Sequence, residues 1–199
     1  MVVGGTIAES GIPTIGISSA IDPGNYGHED TALVLLDLLS AAAPNPNSLN
    51  TYLGPRSDKI GFIGRGLGNI ITHEIGHYSG NWHTDQFDDT ANLMDQGGNI
   101  AQMLGVGADG IGGTADDVDV DFTTDSYTPQ EPFTGFEDTL DTTAWGYSRG
   151  LGRARNRTPP RARARGRSPV VWTPPDSSAA ARKPARQAHC QWWQAGCDS

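Results

Sequence analysis

Residues 73–83 read His73-Glu74-Ile75-Gly76-His77-Tyr78-Ser79-Gly80-Asn81-Trp82-His83. The spacing predicts that His73 and His77 lie one turn apart on a single helical face, where two imidazoles can hold one ion. Glu74 projects beside them, within reach of a water at that ion. His83 lies too far along to share the face. It can serve as a third ligand only if the helix stops and the chain turns back. Gly80 permits that, because glycine accepts the left-handed conformation that ends helices. Three protein ligands and one open position are what a catalytic zinc requires. Three of the chain's five histidines fall in this window, which argues against scattered structural histidines.

Upstream, Ile63, Leu67, Ile70, Ile71, Ile75 and Tyr78 recur at three- and four-residue steps. They predict a helix from near Lys59 to Gly80 with one buried face. Its many glycines suggest close packing against a neighbouring backbone. Before it, Val2–Ile7 and Thr14–Ile21 read as short strands joined by a turn at residues 9–13. A helix is expected from Asp30 to about Ala42, burying Leu33, Leu36, Leu38 and Leu39. Residues 43–56 read as a Pro/Asn-rich loop, residues 81–127 as mostly loop, and Leu140–Ser148 as a last short helix.

The whole motif, HExxHxxGxxH, resembles the long zinc signature of the metzincin metallopeptidases. Asn92-Leu93-Met94-Asp95 resembles the methionine-bearing turn that follows it in that family, with Met94 packed beneath the metal. The resemblance implies an α+β fold: a twisted sheet, an active-site helix and a small loop-rich C-terminal subdomain. It implies a zinc endopeptidase in which His73, His77 and His83 bind Zn²⁺ and Glu74 is the general base toward a metal-activated water. It also implies a protein or peptide substrate and export from the cell. Residues 1–148 are the expected peptidase domain, with an N-terminal part at 1–80 and a C-terminal part at 81–148. Only 72 residues precede His73, so the first strand and helix of the family's N-terminal subdomain are expected to be missing. Thr84 follows the third histidine and Gln96 stands two beyond Met94, so no branch is assigned and an extra Tyr ligand is not supported. The alternative is a non-catalytic zinc- or calcium-binding module, against which Glu74 argues, since a structural site needs no base.

Composition adds boundaries. Residues 1–148 hold 3 Lys and Arg against 21 Asp and Glu, whereas residues 149–199 hold 11 against 2. The chain is therefore an acidic body with a basic, low-complexity tail, expected to be disordered. The tail could instead attract anionic surfaces, or be a GC-rich reading frame read out of phase. Nucleic acid is disfavoured because no aromatic platform accompanies the arginines. Both cysteines, Cys190 and Cys197, lie in the tail, which excludes a disulfide framework or thiolate metal site from the body. No apolar run reaches membrane-spanning length, and no signal peptide opens the chain. Asp109, Asp116, Asp117, Asp119 and Asp121 crowd a Gly-rich loop and are candidate Ca²⁺ ligands, against the plainer reading of a solvated acidic loop.

Overall fold

The computed structural model describes residues 1–27 and 30–155. The basic tail beyond 155, with both cysteines, lies outside the described residues. The fold is α+β. Strands β1 (Val2–Val3), β2 (Gly16–Ser18) and β3 (Ala32–Val34) form one sheet in the order β1-β3-β2. β1 runs parallel to β3 and β2 antiparallel to it. Short helical turns α1 (Ile7–Ser10) and α2 (Leu36–Leu39) follow β1 and β3.

The long helix α3 (Lys59–Ser79) packs across β2 and β3. Asp58 caps its start by accepting the Gly61 N–H at 3.0 Å, which satisfies one of the free donors of the first turn. Phe62 and Ile70 on its inner face join Ile15, Val34, Leu39, Leu49, Ile100, Met103 and Leu104 in one core. Burial of a side chain such as Phe62 contributes about 1.5–3 kcal/mol. Beyond α3 the chain is mostly loop, broken by α4 (Ile100–Met103) and an antiparallel pair, β4 (Thr124–Ser126) with β5 (Phe136–Asp138). α5 (Thr139–Arg155) then returns against α3.

Three expectations are corrected. The segment after Asp30 is no continuous helix. Ala32–Val34 pairs with strands on both sides, and only Leu36–Leu39 is helical. Its leucine spacing suits a helix, but an apolar run this short also suits a buried strand, and pairing to β1 and β2 decides it. Within α3, Phe62 is the fully buried residue of the first turn, whereas Ile63 points outward at 38% exposure. The last helix is also longer than expected, since it passes Ser148. Among the described residues no helix is long and apolar enough to cross a membrane.

Candidate metal centre

α3 delivers His73 and His77 to one face, and both are buried. The helix then ends at Gly80, which adopts φ +106° and ψ 6°. The Gly80 N–H donates to the His77 carbonyl at 3.0 Å and the Asn81 N–H to the Gly76 carbonyl at 3.2 Å. This reversal places His83, also buried, against the first two histidines. The three ring centroids lie 4.8, 4.9 and 5.3 Å apart. One nitrogen from each ring lies within 4.8 Å of the others, the only such group of three or more His, Cys, Asp or Glu among the described residues.

Every Nδ1 already has a partner. That of His73 meets the Leu93 carbonyl at 2.7 Å, that of His77 the Asn81 carbonyl at 2.9 Å, and that of His83 Glu131 Oε1 at 2.9 Å. An acceptor at Nδ1 selects the Nδ1–H tautomer, leaving the Nε2 lone pair of each ring as the ligand. Burial lowers the pKa of His73 to about 3 and that of His77 well below the usual histidine value, with neighbouring imidazoles adding to the effect. Three buried imidazoles, each with its Nδ1 engaged and its other ring nitrogen left over, fit a divalent metal, and the donor type suits zinc.

Glu74 follows His73 on α3 and is almost fully buried. Its Oε2 accepts the Ser18 hydroxyl at 2.7 Å, and burial raises its pKa to about 7. Ser18 is on β2, and Gly16 on the same strand has no Cβ because Glu74 Oε1 fills that space. Ser18 and Gly16 thus shape the carboxylate's seat. No sequence pattern pointed to them, since they lie more than 50 residues upstream.

Met94 is completely buried, and its N–H donates to Asn92 Oδ1 at 3.0 Å. Its Sδ occupies the space that a side chain at Gly76 would need, between the two helical ligands. The Met94 carbonyl accepts the Thr84 N–H at 2.8 Å, tying this turn to the third ligand.

The five acidic-loop residues do not gather as the imidazoles do. Asp117 pairs with Arg65 and accepts the Gly113 N–H. Asp116 and Asp109 tie up their own loop, with the Asp109 N–H donating to Asp116 Oδ2 at 3.0 Å and the Ile111 N–H to Asp109 Oδ1 at 2.7 Å. Asp121 contributes its carbonyl to the Leu93 N–H at 3.1 Å.

Other carboxyls near the centre carry a pH signature. Burial raises Asp95 and Glu137 to about 7, and burial with Asp88 alongside raises Asp125. An acid with a raised folded pKa binds more protons folded than unfolded. Its contribution to stability therefore falls as pH rises from about 4 to 7. The lowered pKa values of His73 and His77 act oppositely below about 6.5 in metal-free protein. With Glu74, four raised acids outweigh two histidines, so chelated protein should melt at a higher temperature at pH 6 than at pH 8. A scan showing the reverse order would mean these carboxyls are solvated.

Comparison with protein-family models, curated proteins and solved structures finds no match.

Proposed function

We infer that this chain is a zinc-dependent endopeptidase of metzincin type. The observation that carries the reading is the buried triad His73, His77 and His83, each ring oriented through Nδ1, with a buried Glu74 next to His73 in the helix. His73, His77 and His83 would hold the ion. Zinc in such a site supplies Lewis acidity, polarising a carbonyl oxygen and lowering the pKa of water to about 7. Glu74 takes a proton from the attacking water as its oxygen bonds to the peptide carbon. The carboxylate then returns that proton to the amine as the C–N bond breaks. Ser18 holds the carboxylate in place between the two transfers. The acidic body favours basic peptides by long-range attraction, an effect that salt weakens.

The test is metal content with peptide cleavage. Purified protein should hold one Zn²⁺ per chain, and His73→Ala, His77→Ala or His83→Ala should each abolish it. Chelator should stop cleavage of an unstructured protein substrate, and added zinc should restore it. Elemental analysis finding no zinc in well-folded protein, even after zinc is supplied, would overturn the assignment.

A further inference from the structure

The third ligand is held differently from the first two. His73 and His77 belong to α3, and their Nδ1 atoms meet backbone carbonyls. His83 stands in a loop, and its Nδ1 meets a carboxylate from 48 residues further along the chain. That carboxylate, Glu131, is itself largely buried, its side chain 12% exposed.

The contact does not stand alone. Residues 127–137 grip the strand of chain around His83 at several points. The Thr128 N–H donates to the His83 carbonyl at 3.2 Å, and Glu137 Oε2 accepts the Trp82 N–H at 3.1 Å. Thr84 forms a bridge with Tyr127. The Phe133 ring meets Trp82 at 4.9 Å and Tyr127 at 5.4 Å between centroids. Thr128, almost fully buried, also donates its hydroxyl to Gln96 at 2.9 Å, fastening this segment to the chain just after Met94. The Glu131 N–H donates to the Thr128 carbonyl at 3.0 Å, which fixes the start of the turn carrying the carboxylate.

We propose that Glu131 is the positioning residue of the third metal ligand, and that residues 127–137 form a clamp holding His83 in its metal-binding orientation. The inference rests on the metal reading above and deepens it. Glu131 accepts the Nδ1–H of His83, fixing the tautomer with Nε2 free and aiming the ring. An anionic acceptor also makes that imidazole a stronger donor to a cation. Without it, His83 keeps its backbone contacts but loses control of its ring, and the site falls toward a two-histidine grip.

The experiment measures zinc affinity of the full chain by competition with a chromogenic chelator, for parent, Glu131→Ala and Glu131→Gln. Glu131→Ala should bind zinc about 10–100-fold more weakly. Glu131→Gln should recover part of the loss, because a neutral amide oxygen can still accept from Nδ1–H. Metal-free Glu131→Ala should melt a few degrees below the parent, because the buried His83 N–H loses its acceptor, whereas Glu131→Gln, which keeps an acceptor there, should melt close to it. With Co²⁺ as probe, the visible absorption of Glu131→Ala should depart from that of the parent. Parent-like affinity and cobalt spectrum in Glu131→Ala would overturn the clamp while leaving the metal centre standing. If Glu131→Ala fails to fold, the near-isosteric Glu131→Gln decides, and parent-like affinity in that variant overturns the proposal. A folded parent that binds neither metal removes the metal reading itself, and this proposal with it.

Discussion

Glu74→Gln should bind one zinc per chain with parent-like affinity and lose about 10²–10⁴-fold in turnover, the usual contribution of a positioned acid–base group. The two halves of this result come from different atoms. The ligands are imidazole nitrogens, each ring fixed through Nδ1 by groups other than Glu74. The substitution keeps side-chain size, so the tight seat against Gly16 stays filled. An amide oxygen can still accept from the Ser18 hydroxyl that now reaches Oε2 at 2.7 Å. What disappears is the ability to carry a proton from water to the leaving amine. Metal content is read by elemental analysis and turnover with a quenched fluorescent peptide. A variant cleaving at the parent rate would show that Glu74 is not the base. A parent that holds zinc yet cleaves no peptide under any condition would instead favour a non-catalytic metal-binding module.

The same centre shows which parts of such a site a sequence can display. Two ligands on one helix are legible because helical geometry is local: four residues always make about one turn. The third ligand is legible through Gly80, since a glycine between a helical pair and a further histidine marks where the helix must reverse. Met94 is legible through the resemblance of its turn to the metzincin pattern and its short distance from His83. Glu131, Ser18 and Gly16 carried no such mark. Each reaches the site through tertiary packing across roughly 50 residues, and no local period encodes that. Glycines were half legible. Gly66 abuts the Leu49 and Leu104 side chains and Gly76 that of Met94, so the close neighbours are side chains and not the neighbouring backbone that the sequence suggests. Gly64 and Gly68 face open space, and nothing in the structure explains why they are glycine. The segment Ala32–Leu39 misled for a related reason. Leucines at helical spacing are ambiguous when the run is short, and the partners that decide it, β1 and β2, lie elsewhere in the chain.

Gly80→Ala should destabilise the protein by about 2–5 kcal/mol and weaken zinc binding together, although the residue touches no metal ligand side chain. Two costs combine. At φ +106° a Cβ meets the backbone strain that L residues suffer in left-handed conformations, roughly 1–2 kcal/mol. The added methyl would also overlap the Pro23 backbone, and such overpacking typically costs about 1–3 kcal/mol. Pro23 cannot simply withdraw. Its neighbours supply the N–H groups that satisfy the end of α3, Asp22 donating to the His77 carbonyl at 2.9 Å and Gly24 to the Ser79 carbonyl at 3.3 Å. Relief must therefore come from unwinding the last helical turn or shifting the exit path of the chain. Either movement displaces His77, Asn81, whose carbonyl holds the His77 ring, or His83 three residues on. The measurements are thermal unfolding of the metal-free form, where a fall on the order of 10 °C is expected, and zinc affinity of protein that remains folded. A variant that melts within a degree or two of the parent and keeps its zinc affinity would show that the helix end can absorb a side chain, and that the reversal at Gly80 does not set the third ligand.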